Sequence, residues 1–259
     1  METDIKQMKK TMFSVLLLSI AVSLTTCGSS ADVVQEAAYV TETISFFAED
    51  GLKLTADLYK TANDSAPYII LFHRAKFSRG EYRIIAPRLN ENGFNCLAID
   101  QRSGNKAREV INQTAAEAKM QGLSHAYTDA LPDLRAALLY VKKELGANKI
   151  ILWGSSYSAA LVFLVGSEFP DDVNGVLAFS PGEYFKVADK KISNYAKNIK
   201  CPVFVTAEKR IRNNARLIYD SIPFSGSSVF LNVNKHGSEL LWPQTEPAWE
   251  QVLNFLNSF

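Results

Sequence analysis

The chain has 259 residues, 47% of them hydrophobic, 21% charged and 11% aromatic, with only 13 Gly and 9 Pro. Those proportions exclude a disordered chain, a collagen-like repeat and a small disulfide scaffold. Lys and Arg (28) nearly balance Asp and Glu (27), which leaves no basic face for nucleic acid and no acidic tail, and the length suffices for a substantial core.

Lys6, Lys9 and Lys10 precede a short apolar run from Met12 to Leu24, followed by small polar residues. A basic head, a greasy stretch too short to span a bilayer comfortably and a small-residue exit make a secretory signal. The stretch closes with Leu24-Thr25-Thr26-Cys27-Gly28, which resembles a bacterial lipoprotein lipobox. The resemblance implies that residues 1–26 are removed and that Cys27 is acylated, anchoring the protein at the cell envelope. Thr26 stands where that motif carries Gly, Ala or Ser, so ordinary signal cleavage, giving a secreted or periplasmic protein, stays open. Cleavage before Cys27 removes Glu2, Asp4 and the three lysines and takes the formal charge from +1 to about zero. Residues 27–38 then read as a tether and 39–259 as a single domain.

Beyond the tether, strands and helices alternate. Tyr39–Phe47 and Leu52–Tyr59 are strand-like and flank Glu49-Asp50-Gly51, an Asp-Gly hairpin signal. Tyr68–Phe72 is a continuous apolar run of the kind buried on both faces. A helix is expected over Glu81–Asn92, then a strand over Asn95–Ile99. Gly104–Ser124 is expected to form a cap or an edge helix. Leu131, Leu134, Leu138, Val141 and Leu145 recur at spacings of three and four, an amphipathic helix closed by Gly146. Lys149–Trp153 is the next buried strand, and Ala159–Glu168 a helix ending before Pro170. Strands follow at Val176–Phe179, Val203–Thr206 and Val229–Val233, and helices at Asn213–Ser221 and Glu246–Asn257. This alternation predicts an α/β fold: a mostly parallel twisted sheet, helices on both faces and an N-terminal antiparallel hairpin at one edge. Cys96 and Cys201 lie in apolar strand-like sequence and read as buried thiols. No Cys/His spacing suggests a metal, and no phosphate loop or dinucleotide fingerprint suggests a cofactor.

The stretch Ile150 to Ala160 runs a strand through Gly154-Ser155-Ser156-Tyr157-Ser158 directly into a helix. Such a Gly-x-Ser-x-small turn projects the central hydroxyl above the sheet, and its flanks must be small because strand and helix backbones pass closely. Ser158 replaces the usual glycine, adding a hydroxymethyl group at a crowded point. A serine needs a neighbouring base. Of three histidines, His236 lies just past the last expected strand, at the carboxyl edge where sites in open α/β sheets collect. His125 sits in polar sequence and reads as solvated. His73 directly follows an early strand, in the loop that supplies backbone N–H groups to an oxyanion, and reads as a brace of that loop.

Together, Ser156, His236, the His73 loop and the Asp100-Gln101-Arg102-Ser103-Gly104 turn resemble the α/β-hydrolase superfamily. Gly80-Glu81-Tyr82 and Ser180-Pro181-Gly182-Glu183-Tyr184 are most similar to its dienelactone-hydrolase-like branch. The resemblance covers nearly everything after Tyr39. It implies an acid that orients His236, usually an Asp just past the penultimate strand. Here that region reads Thr206-Ala207-Glu208-Lys209-Arg210-Ile211 and holds no Asp. Glu183, at the end of the preceding strand, is therefore preferred to Glu208, which reads as too early. Asp100 and Arg102 are expected to pair with each other or brace their turn. The expected oxyanion donors are the backbone N–H groups of Tyr157 and of Arg74 (or Ala75).

The resulting expectation is a serine hydrolase that cleaves a small ester or lactone, with no cofactor and no metal. Arg74, Lys76, Arg79 and Arg102 either favour an anionic substrate or simply solvate their loops. One alternative is a binding lipoprotein that keeps the fold without turnover. Another is a small peptidase or amidase related to oligopeptidases, which usually carry a propeller domain that 259 residues leave no room for.

Overall fold

The expected alternation of strands and helices is present in the computed structural model, which describes residues 40–223, 228–243 and 247–258. Residues 1–26, Cys27 and the tether lie outside that range. The first elements are β1 (Val40–Phe47), β2 (Lys53–Lys60), β3 (Tyr68–Phe72), α1 (Ala86–Glu91) and β4 (Asn95–Ile99). A two-residue pair, β5 (Lys106–Ala107) and β6 (Val110–Ile111), precedes α2 (Gln113–Met120) and α3 (Leu131–Lys143). The second half runs β7 (Ile150–Ser155), α4 (Tyr157–Glu168), β8 (Val173–Phe179), α5 (Ile192–Ala196) and β9 (Val203–Glu208). It closes with α6 (Arg212–Asp220), β10 (Val229–Val233) and α7 (Ala248–Leu256).

Eight strands form one sheet in the order β1-β2-β4-β3-β7-β8-β9-β10. From β4 to β10 every neighbouring pair is parallel, while β2 runs antiparallel to both β1 and β4. The β1–β2 hairpin turns where Gly51 adopts φ +81°, a conformation open to glycine.

Strands β3, β4 and β7 are buried on both faces, and their period of two sorts their side chains between two layers. Ile70 and Phe72 of β3 and Leu152 of β7 pack with α3, α4, α5 and α6; Ile69, Leu71, Ile151 and Trp153 pack with α1 and α7. Helix α4 lies under the centre of the sheet with Ala159 to Val165 fully buried, which explains why it carries almost no polar face.

Some expected boundaries shift, and the 104–124 alternative is decided. The helix expected over Glu81–Asn92 divides into a 3-10 turn at Arg79–Tyr82 and the shorter α1. Pro87 tolerates only a first helical turn, because further in it would remove a hydrogen bond and clash with the preceding turn. The 104–124 stretch supplies the β5–β6 pair and α2, which packs on β2 as an edge helix; Thr114 Oγ1 accepts the Thr55 N–H at 2.9 Å. Strand β9 runs on through Glu208, two residues past the expected end. Cys96 and Cys201 are buried free thiols, as expected.

Candidate active site

Ser156 sits between the last residue of β7 and the first of α4, with φ +60° and ψ −117°. A non-glycine residue there is strained, and strain of this kind persists only where the surroundings over-determine it. Here Ser156 N–H donates to Phe179 O at 2.8 Å, fixing the turn to β8. Gly154 has no room for a side chain: a Cβ would lie 2.5 Å from Ser158 O and 2.6 Å from Ala159 Cα.

His236 follows β10 by three residues, and the adjoining Gly237 has φ +63°. A Cβ at Gly237 would stand 2.5 Å from Ser155 Oγ, so glycine lets the histidine loop close onto the elbow. The loop is anchored there by two donors: Gly237 N–H to Ser180 Oγ at 2.9 Å and Ser238 N–H to Ser155 Oγ at 3.0 Å. His236 Nε2 thereby comes within 2.7 Å of Ser156 Oγ, and Nδ1 within 2.9 Å of Glu208 Oε1. With a carboxylate at Nδ1 that nitrogen carries the proton, so Nε2 is the free base facing the serine hydroxyl. Burial alone would raise Glu208, but the hydrogen bond from His236, its own backbone N–H, the charge of His236 when protonated and the Ser180 hydroxyl outweigh it and hold the carboxyl below its ordinary range.

The acid beside His236 is therefore Glu208, and the preference for Glu183 is corrected. Glu183 accepts the N–H groups of Ile192 (2.6 Å) and Ser193 (3.0 Å), capping the start of α5. Its carboxylate is spent on a helix terminus, where orphan donors are otherwise unpaired. Glu208 reads as too early only for a strand that ends at Thr206. Because β9 continues, Glu208 sits at its carboxyl tip, beside β10 and the histidine loop. Ser180 belongs to the motif that carries the family resemblance, but no local signal marks its bridging role. At φ +62°, it donates its hydroxyl to Glu208 Oε2 at 3.0 Å while accepting from Gly237, so it joins acid and histidine loop.

In the loop after β3, expected to supply an oxyanion donor, the first candidate, Arg74, gives way to the alternative, Ala75. Arg74 N–H donates to Glu81 Oε2 at 2.7 Å and is not free. His73 is fully buried, which lowers its imidazole to about 4 and keeps it neutral. Its Nδ1–H donates to Arg74 O at 2.8 Å, and its Nε2 accepts Gln101 N–H at 3.0 Å. The Arg74 carbonyl thus points inward, and in a trans peptide the following N–H points the opposite way. That N–H belongs to Ala75, which has no hydrogen-bond partner among the described residues; neither has the N–H of Tyr157. Ser158 uses its extra hydroxyl here, donating to His73 O at 2.6 Å and accepting Gln101 Nε2 at 2.8 Å. The departure from glycine therefore ties α4 to the His73 loop. Tyr184 stands beside Ser156 and donates its hydroxyl to Ser180 O at 2.7 Å.

Asp100 and Arg102 brace their turn through other partners and not each other. Arg79 reaches Asp100 at 2.6 Å and Asp57 at 2.9 Å; Arg102 reaches Asp133 at 2.6 Å and Asp50 at 2.5 Å. Arg79 and Arg102 are therefore structural, and neither is free to meet a substrate. His125 is exposed, as expected.

A sheet with this strand order, an elbow serine after β7 and a histidine after β10 defines an α/β-hydrolase. The sequence of residues 63–217 matches the family model described as serine aminopeptidase, S33, and the chain belongs to that hydrolase family. No curated protein matches the chain. Among solved structures, an esterase of Pyrococcus furiosus superposes with a TM-score of 0.66 at 18% identity, covering 85% of this chain and 93% of that one. A dienelactone hydrolase from Anabaena variabilis gives 0.65 at 14% identity, covering 85% and 98%. An acylaminoacyl peptidase of Pyrococcus horikoshii gives 0.62 at 13%, with 85% of this chain covering 41% of that one. At these identities the likeness is one of fold.

Proposed function

We propose that the protein is a serine hydrolase that cleaves a small ester or lactone through an acyl-enzyme. The observation that carries the reading is the unbroken line from Ser156 Oγ to His236 Nε2 (2.7 Å) and from His236 Nδ1 to Glu208 (2.9 Å). His236 takes the hydroxyl proton as Ser156 Oγ bonds to the substrate carbonyl carbon, and the π pair moves onto the carbonyl oxygen. The N–H groups of Tyr157 and Ala75 receive that oxyanion. When the tetrahedral adduct collapses, the leaving oxygen departs with the proton from His236. Water then repeats the sequence against the acyl-enzyme, giving the carboxylic acid and returning the proton to Ser156.

An ester or lactone is favoured over a peptide with a free amino terminus by the charges around the site. An α-ammonium group needs a spare carboxylate, but Glu208 is held by His236 and Glu239 by Arg74 (3.0 Å) and Lys235 (3.7 Å). The test is a screen of short-chain nitrophenyl esters, small lactones and aminoacyl nitroanilides with wild type, Ser156→Ala and His236→Ala. Ester or lactone turnover lost in both variants, with fluorophosphonate labelling lost in Ser156→Ala, is expected. Equal rates in all three proteins would reject the enzyme in favour of a binding lipoprotein, and turnover of nitroanilides alone would make it a peptidase.

From its sequence we also propose that the protein is exported behind residues 1–26 and held at the envelope by acylated Cys27. Cys27→Ser should then move it from the detergent phase to the aqueous phase in a Triton partition; partition unchanged by the substitution would exclude the anchor.

A further inference from the structure

Beneath the site lies a carboxyl group that the proposed chemistry does not use. Glu81 is 0% exposed and sits in the turn Arg79–Tyr82. That turn has little freedom: Tyr82 donates its hydroxyl to Phe72 O at 2.6 Å, and a Cβ on Gly80 would lie 2.2 Å from Ala107 O. Glu81 Oε2 accepts the Arg74 N–H at 2.7 Å, and Oε1 accepts the Ser155 hydroxyl at 2.8 Å. Ser155 Oγ in turn accepts the Ser238 N–H at 3.0 Å, and Ser238 Oγ accepts the indole N–H of Trp153 at 2.9 Å. Two separate chain segments therefore meet on this carboxyl, the oxyanion loop and the residue before the nucleophile, and the loop that carries His236 joins them through Ser155 Oγ.

We propose that Glu81 is a positioning residue, fixing those three segments in mutual register so that the Ala75 N–H, Ser156 and His236 converge on one reacting carbonyl. The proposal rests on the serine-hydrolase reading above. It follows from where each bond pulls. Drawing the Arg74 N–H inward, together with His73 on the Arg74 carbonyl, leaves the Ala75 N–H turned outward. Holding Ser155 fixes the residue directly before Ser156 and, through Ser238, the loop two residues beyond His236. A buried carboxyl is a costly way to make these contacts: loss of solvation raises Glu81 to about 7, even though the Arg74 N–H, the Ser155 hydroxyl and the charges of Arg74 and Arg108 all favour ionisation. A structural tie alone could be made by an apolar contact; a two-oxygen acceptor is needed where two donors from different segments must be aimed.

The test compares wild type, Glu81→Ala, Glu81→Gln and Ser155→Ala, each normalised by active-site titration with a fluorophosphonate so that misfolded protein is not counted. Misplacing reacting groups by about an ångström costs on the order of 100-fold. Glu81→Ala is therefore expected to lose about 100-fold in kcat with KM within about threefold, and to weaken a boronic acid transition-state analogue by a similar factor. Glu81→Gln should recover to within about fivefold of wild type, since its amide oxygen accepts from Arg74 while its NH2 donates to Ser155. Ser155→Ala, which spares the Arg74 bond, should lose about tenfold and serves if Glu81→Ala does not fold. Per-site kcat and boronate affinity unchanged in Glu81→Ala or in Ser155→Ala, or Glu81→Gln as impaired as Glu81→Ala, would overturn the proposal. A wild type that neither labels nor turns over esters would overturn the reaction itself and the proposal with it.

Discussion

Two glutamates, one closing a strand of the sheet and one following another, carry different duties, and the difference is one of position at a strand tip against position before a helix. Glu208 faces His236, whereas Glu183 faces two helical N–H groups. Glu208→Gln should lower kcat/KM by roughly 10³ to 10⁴-fold, because the amide no longer enforces the Nδ1–H tautomer or stabilises the imidazolium. Glu183→Ala should leave per-site kcat unchanged and lower unfolding free energy by about 1 kcal/mol in a urea titration, the usual cost of a lost helix cap. A reversal of these two results would return the acid to Glu183. Linkage gives Glu208 a second signature. Its folded carboxyl lies below its unfolded value, so the stability it contributes is present above the unfolded value of about 4.5 and is lost as pH falls through the folded one. Glu208→Gln should flatten that acid limb in a pH series of urea midpoints; an unaltered limb would mean that its ionisation does not support the fold.

Between elements, the site is a meeting of loops fastened by hydroxyls. Ser158 joins α4 to the His73 loop, Ser180 joins β8 to Glu208 and Gly237, and Ser155 joins β7 to Ser238. Ser158→Ala would strand the His73 carbonyl and part of Gln101 without their partner. A buried group left unpaired costs about 1–3 kcal/mol, so we expect destabilisation of that size in a thermal or urea melt. Loosening the oxyanion loop should also cut kcat about tenfold with little change in KM. Wild-type stability in Ser158→Ala would mean that water replaces the hydroxyl and that the fastening is dispensable. Gly237→Ala should be worse than Ser158→Ala in both measures, because it meets Ser155 Oγ and must hold φ +63°.

Among the described residues, two buried arginines, Arg79 and Arg102, form braces beneath the sheet's carboxyl edge. Arg102 joins the turn after β4 to α3 through Asp133 and to the β1–β2 hairpin through Asp50, while Arg79 joins Asp57 of β2 to Asp100. Burial raises Asp100 and Asp133 to about 6 and Glu81 to about 7, against the opposing pull of their partners. Raised carboxyls keep a proton in the fold that the unfolded chain releases, so their contribution to stability falls as pH rises through the window between the two values. For Glu81 that window runs from about 4.5 to about 7. His73, lowered to about 4, has the opposite slope between about 4 and 6.5, but it is common to wild type and variant. Glu81→Gln should therefore lose less stability than wild type between pH 5 and 7, measured as urea midpoints; parallel curves would show that Glu81 does not titrate in that range.

Local sequence determined the alternation of strands and helices, the edges of β3, β4 and β10 to the residue, and the elbow at Ser156. These depend on hydrophobic period, on Gly and Pro placement and on steric limits within a few residues, all of which are written contiguously. His236 was legible because parallel strands put every following loop at one edge of the sheet. The acid was not. Whether Glu183 or Glu208 meets an imidazole depends on how far β9 runs before it turns and on which carboxylate a helix terminus has already taken. The same holds for the choice of Ala75 over Arg74 as the free donor, and for the line of bonds from Arg74 through Glu81 and Ser155 to Ser238. Those outcomes depend on hydrogen-bond competition between segments as many as 165 positions apart, as for Arg74 and Glu239. Only the closed fold brings such competitors within reach of one another, and only there is each donor assigned its acceptor.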